Sequence, residues 1–240
     1  GGFTNIENLT GGTNTDAFTL TTGTLSGTID GAAGSDTLTG ANVVNTWTIT
    51  SANAGTLTGI GVFSNIENLV GGTLADTFTF SNATTLGGTI NGGAGGVNYI
   101  NVAAYTTAVN ITLTGSTANG YTGTTSGTPN PTTGFSNITR FDSSSTAANS
   151  LVGSNAATST WTISGANSGT VTDATATLTF TNFGALTGGT GTDNFTIGAA
   201  GTLSGALDGG TGTDTLTGRD AANTWTISAA NTGTVTNITG

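Results

Sequence analysis

Apolar and polar residues alternate in short bursts along this chain. The segments TWTIT (46–50), DTFTF (76–80), ITLTG (111–115) and TLTF (177–180) set Trp, Ile, Leu or Phe at every second position, with Thr between them. A period of two with β-branched partners is the pattern of a half-buried strand. No useful length of sequence carries the three-to-four spacing of an amphipathic helix. The pattern predicts an all-β protein of short strands. Gly and Asn punctuate it at corners, where they tolerate positive φ.

The strands recur in blocks. FTNIENLTGGTNTDAFTL from Phe3 returns as FSNIENLVGGTLADTFTF from Phe63 and as FTNFGALTGGTGTDNFTI from Phe180. A second block is GTLSGTIDGAAGSDTLTG from Gly23, TTLGGTINGGAGGVNYI from Thr84 and GTLSGALDGGTGTDTLTG from Gly201. A third carries the tryptophans: NTWTITSANAGTLTG from Asn45, STWTISGANSGTVT from Ser159 and NTWTISAANTGTVT from Asn223. Blocks of roughly 18 to 21 residues fit one coil of a parallel β-solenoid, two or three short strands with turns, stacked at about 4.8 Å per coil. The expected architecture is a single β-solenoid over 1–240, with about 20 residues per coil and roughly 12 coils. Equivalent positions then stack, Phe18 near Leu38 and Phe195 near Leu216, and the Trp positions read as core. Larger units run near 3–62, 63–134, 135–179 and 180–240. Ser116–Gly134, with Tyr121, Pro129 and Pro131, breaks the pattern and reads as a loop or irregular strand pair projecting from the scaffold. The chain opens on GGF and stops at TVTNITG, where another FSNIEN would follow, with no polar cap at either end. The expectation is a segment of a longer repetitive chain.

Composition narrows the function classes. Charged residues make up 6% of the 240, against about 25% in ordinary domains. The net charge is −10, with no Lys or His, and the bases are Arg140 and Arg219. Nucleic-acid binding requires clustered bases and is not expected; adsorption to anionic lipid is disfavoured on the same ground. No apolar run approaches the ~18 residues of a membrane helix, so membrane insertion is not expected. No leader is visible at Gly1. Cys and Met are absent; no disulfide staples the chain.

Four chemistries remain to be weighed. GGTGTDTLTG, from Gly209, reads as a calcium-loop nonapeptide. A hard cation wants six to eight oxygens from carboxylates and carbonyls. The Gly-Asp turns recur about one coil apart, which nominates the pairs Asp193 with Asp214 and Asp16 with Asp36 as calcium ligands. The competing reading is a turn whose Asp bonds its own backbone. Without His, Cys or Lys, nucleophilic triads and most metal hydrolases are excluded. Paired carboxylates alone remain for catalysis, Asp30/Asp36 and Asp208/Asp214, the pattern a polysaccharide-active β-helix would use. They recur with the scaffold, whereas a catalytic site occurs once, so no enzyme is expected. Thr rows suit ice binding, but Thr is also the ordinary outward strand residue. Tyr105 and Tyr121, near or in the insertion, are the exposed aromatic candidates for carbohydrate binding.

The blocks FSNIENLVGGTLADTFTF, GTLSGTIDG and NTWTITSANAGTLTG, with NYINVAAYTTAVNITLTG from Asn98, resemble the repeats of very large adhesins of Gram-negative bacteria, the filamentous-haemagglutinin-like, β-strand-repeat proteins. The likeness covers essentially the whole chain. It implies a right-handed parallel β-helix, export to the cell surface, and a stalk or adhesive filament in attachment or biofilm. The implied partners are further repeats of the same chain, neighbouring copies, or surface carbohydrate. A calcium-stabilised β-roll and a polysaccharide-active β-helix stand as the alternatives.

Overall fold

A computed structural model describes residues 2–240. Among them there is no helix, and the chain passes back and forth between two sheets. β1 (Leu9–Thr10) lies in sheet I, β2 (Ala17–Thr19) in sheet II, β3 (Leu25–Asp30) in sheet I and β4 (Thr37–Thr39) in sheet II. Three strands in succession, β5 (Asn45–Ser51), β6 (Ala54–Leu57) and β7 (Ile60–Ser64), then stay in sheet I. Alternation resumes with β8 (Asn68–Gly72) in II, β9 (Asp76–Phe80) in I, β10 (Thr89–Gly93) in II and β11 (Tyr99–Asn101) in I. A second triplet, β12 (Val109–Thr117), β13 (Gly120–Gly127) and β14 (Gly134–Ile138), lies in sheet II. β15 (Arg140–Asp142) in I and β16 (Ser150–Val152) in II lead to a third triplet in sheet I: β17 (Thr158–Gly165), β18 (Ser168–Thr172) and β19 (Thr177–Thr181). β20 (Ala185–Thr187) in II, β21 (Thr192–Ile197) in I, β22 (Leu207–Asp208) in II and β23 (Thr215–Thr217) in I follow. β24 (Trp225–Ala229) and β25 (Thr232–Val235) form a hairpin of their own. Sheet I holds 13 strands and sheet II holds 10.

Outside the triplets and the last hairpin, every strand pairing described is parallel. Register follows the repeats, with Phe18 opposite Leu38 and Phe195 opposite Leu216 as the sequence predicts. The triplets are antiparallel meanders laid in reverse: β7 returns beside β3, while β5 lies beside β9. This corrects two expectations. The Trp blocks do not make coils of their own; each is a hairpin inside one sheet. Ser116–Gly134 does not project: β12, β13 and β14 pair within sheet II, and Ile111, Leu113, Tyr121 and Phe135 join the core.

The alternation seen in sequence is the alternation of burial. DTFTF of β9 reads buried, half-buried, buried, half-buried, buried. One continuous apolar cluster runs from Ile29 to Leu203. Its largest members stack between neighbouring strands: Trp47 on Phe78 at 5.4 Å with 17° between planes, and Trp161 on Phe195 at 5.3 Å and 20°. Offset aromatic stacking adds to the area buried. The corners also follow the sequence. The Asn of each F-[ST]-N, namely Asn5, Asn65, Asn137 and Asn182, has φ between 51° and 64°, the left-handed region that Asn enters most readily after Gly.

Candidate functional site

The Gly-Asp turns form rows down the corners of the molecule. Asp16 Oδ2 accepts the N–H of Gly12 at 2.5 Å, Asp76 Oδ2 that of Gly72 at 2.7 Å, and Asp193 Oδ2 that of Gly189 at 2.8 Å. Other oxygens reach the neighbouring turn. Asp36 Oδ1 accepts the N–H of Asp16 at 2.8 Å, and Asp214 Oδ1 accepts that of Asp193 at 3.0 Å. Glu67 Oε2 on the N–H of Asp36 at 2.8 Å extends the Asp16–Asp36 row leading into sheet II, while Asn98 Oδ1 on the N–H of Asp76 at 3.1 Å makes the same link in the row leading into sheet I. The structure thus brings both candidate pairs together, Asp16 with Asp36 and Asp193 with Asp214, through carboxylate-to-backbone bonds. These side chains continue the hydrogen-bond ladder through turns where strand pairing lapses, satisfying backbone donors that burial would otherwise strand. Among the described residues no three or more His, Cys, Asp or Glu side chains converge as a metal-binding group. Asp36 is fully buried, and its Oδ2 has no hydrogen-bond partner among the described residues.

The carboxylates weighed for catalysis hold turns as well. Asp30 Oδ1 accepts the N–H of Ala32, and Asp208 Oδ1 that of Gly210, each at 3.0 Å and two residues on. Asn65, donating from Nδ2 at 2.7 Å, and then the Ala32 N–H hold the Asp30 carboxyl below its ordinary range. A one-residue change re-partners the equivalent aspartates. Asn45 Nδ2 donates to Asp76 Oδ1 at 2.7 Å, and Trp47 Nε1 has no partner among the described residues. Ser159 takes the place of Asn45 in the later repeat, and Trp161 Nε1 there donates to Asp193 Oδ1 at 3.0 Å.

Tyr105 and Tyr121 are not exposed. They are 1% and 0% accessible, which corrects the expectation of sugar-binding platforms. Each ring fills the core while its hydroxyl finds a carbonyl: Tyr105 donates to Thr84 O and Tyr121 to Ala176 O, the latter at 3.4 Å. Burial pushes the Tyr105 phenol up to about 12.

One polar cluster went unmarked in the sequence. Tyr99 and Arg140 are direct neighbours on β11 and β15, and the guanidinium lies 4.5 Å from the Tyr99 ring centroid. Arg140 Nη2 donates to Asp142 Oδ2 at 2.7 Å, Nε to Oδ1 at 3.2 Å, and the Tyr99 hydroxyl donates to Oδ2 at 2.7 Å. The signal available was Arg140 and Asp142 at alternate positions, hence on one face of one strand. Burial raises the Asp142 carboxyl, but the bonds from Arg140, Tyr99 and Thr181 outweigh it and hold the group below its ordinary range. A lowered carboxyl contributes stability that is present above its unfolded pKa and lost as pH falls through its folded one. Asp142→Asn is therefore expected to cost up to about 1 kcal/mol at neutral pH, since the Arg140 side chain is 44% exposed and the pair is screened by solvent. It should also flatten the acid limb of stability against pH, followed by urea unfolding from pH 2 to 7. Asp76 has the opposite sign: burial raises its carboxyl, so its contribution is lost as pH rises through the folded pKa.

No protein-family model, curated protein or solved structure matches the chain.

Proposed function

We propose that this chain is a structural and adhesive segment of a secreted bacterial surface filament, a right-handed parallel β-solenoid acting as a stiff spacer. The observation that carries the reading is the unbroken succession of hydrogen-bonded strands in both sheets, from β1 to β23, around one continuous apolar core. Such a scaffold depends on nearest-neighbour contacts and extends by repetition. A right-handed winding follows from the strong handedness of parallel crossovers. The acidic, nearly base-free surface suits an exposed chain that stays clear of anionic membranes and nucleic acids.

At about 4.8 Å per strand, the 13 strands of sheet I span roughly 60 Å. Small-angle scattering is expected to give an elongated particle of at least that maximum dimension, and a compact sphere would overturn the rod. Beads coated with the segment are expected to attach to cell-surface polysaccharide more than beads coated with an unrelated acidic β-protein. Equal attachment would leave the spacer role and remove the adhesive one.

A second reading is favoured by one atom, the unpartnered Asp36 Oδ2 in its buried turn. In a calcium-stabilised β-roll it would be a cation ligand, and folding would be coupled to metal. Because backbone N–H groups already hold one carboxylate oxygen of each of Asp16, Asp36, Asp193 and Asp214, chelator is expected to lower the melting temperature relative to millimolar calcium by less than about 2 °C. A loss several times larger would give the turns to calcium.

A further inference from the structure

The outward face of sheet I is ruled with threonine. Thr179 of β19 lies beside Thr170 of β18, followed in register by Thr162 of β17, Thr196 of β21 and Thr217 of β23. Two residues along the same strands, Thr177, Thr172, Thr160, Asn194 and Thr215 make a second row. All of these side chains are exposed or half-buried. The residues between them, Leu178, Val171, Trp161, Phe195 and Leu216, belong to the apolar core or pack against it. Neighbours within a row stand about 4.8 Å apart and the two rows about 6.6 Å apart, the strand spacing and twice the rise per residue. The first row continues, past an interruption at Arg140 and Tyr99, to Thr77 and Thr46. Strand propensity alone would put Thr on the outside of both sheets. Sheet II does not follow: its outward rows over β12, β16, β20 and β22 read Asn110, Ser150, Ala185 and Thr112, Val152, Thr187, Asp208. None of the ten positions in the two threonine rows is charged or aromatic, on a molecule of net charge −10. Among the described residues Thr172 and Thr177 bond to each other at 2.9 Å, and the other threonine hydroxyls of the rows have no protein partner.

We propose that this face, from β19 to β23, binds ice. Each hydroxyl both donates and accepts. In liquid water such a bond gains little, because it replaces another like it. A lattice is different. Its oxygens are fixed, so a surface matches it only where hydroxyls repeat at the intervals of the lattice. The oxygen repeats on the prism faces of ice are close to both spacings of the array. The methyl beside each hydroxyl fits the open channels between lattice oxygens. Thr is stiff at χ1, and these strands are laddered to one another. The array is therefore set before it meets ice, and little freedom is lost on contact. Contacts that are weak singly then add in register. Charge matches as well: ice is uncharged, and an ion on the face would keep its own hydration shell against the lattice. A sugar-binding platform would instead offer aromatic faces, which these rows lack.

The proposal stands apart from the filament reading and is tested on the whole chain. A seeded ice crystal in its solution is expected to stop growing over a gap between the melting and freezing temperatures, and to become faceted. Fluorescently labelled chain is expected to coat the crystal. Thr160→Tyr and Thr196→Tyr are each expected to abolish all three effects, because the ring stands above the rows and holds the lattice off. Both positions are exposed, Tyr favours strands, and unchanged thermal melting checks the fold. Thr112→Tyr, exposed on the outside of sheet II, is expected to leave the effects intact. A parent chain that is excluded from ice and leaves freezing unchanged overturns the proposal. So does activity that survives both substitutions, or that is lost equally in Thr112→Tyr. Pelleting with crystalline cellulose or chitin that the Thr160 and Thr196 variants lose, while ice excludes the parent, assigns the face to a polysaccharide and also overturns it.

Discussion

Trp161→Ala is expected to destabilise the chain by about 3–5 kcal/mol, while Trp225→Ala in dilute solution costs less than about 1 kcal/mol. The two residues occupy the same place in the repeat. Trp161 is fully buried, stacks on Phe195, lies tilted at 58° against Phe180 at 6.2 Å, and donates to Asp193. Removing it leaves a cavity between two strands that cannot collapse without breaking their ladder, and it strips a partner from a buried carboxylate. Trp225 has one face in solvent and no aromatic partner among the described residues. Urea unfolding of both variants below the concentration of any association checks the contrast. Similar losses at the two sites would mean that the terminal hairpin is packed in solution.

Gly169→Ala is the second large effect expected, about 3 kcal/mol or more, at the upper end of what overpacking costs. A Cβ on Gly169 would lie 1.9 Å from the carbonyl oxygen of Thr162 across the hairpin, and one on Gly55 would lie 2.0 Å from that of Thr48. Neither glycine has positive φ, so the requirement is clearance rather than backbone conformation. The meander narrows beside the bulge that follows Ile49 and Ile163, and the facing chain is backbone held on both sides by neighbouring strands. It has no side chain to move out of the way. Thermal and urea unfolding of the alanine variant give the size of the loss. A variant as stable as the parent would show that the hairpins are wider than described.

Much of this was legible in sequence, because β structure writes burial directly into a period of two. Phe18, Leu38, Phe195 and Leu216 could be paired by repeat spacing, and Asn at corners followed from its tolerance of positive φ. The hairpins were not legible by the same means. A strand in a hairpin and a strand in a coil carry the same alternation, and only the turn tells them apart. The turn signals were present. Asn53 and Asn167, at φ of 53° and 51°, each precede a small residue and Gly in the Trp blocks, and Ala118-Asn119, followed directly by Gly120, connects β12 to β13. Asn-Gly between alternating segments is a strong hairpin signal, and it outranks the prolines that made Ser116–Gly134 look like a projecting loop. The tyrosines misled for a different reason. A phenol placed in an irregular stretch reads as exposed, but Tyr105 and Tyr121 each had a carbonyl within reach of the hydroxyl, which made burial tolerable. For the acidic corners, spacing identified which aspartates stack, and the hydrogen-bond partners then showed what they hold.

The meanders lie in sheet I, then sheet II, then sheet I. Each one puts a sheet two strands out of phase with the sheet across the core, and the next restores the phase. Lengthening or shortening by recombination between repeats is therefore not free at single-unit resolution. Losing one meander leaves a sheet with two strands that face nothing, while losing two consecutive ones leaves both sheets matched. Descendants of such a gene are expected to differ in length by whole meander pairs, a parity rule imposed by the need to cover both faces of one core.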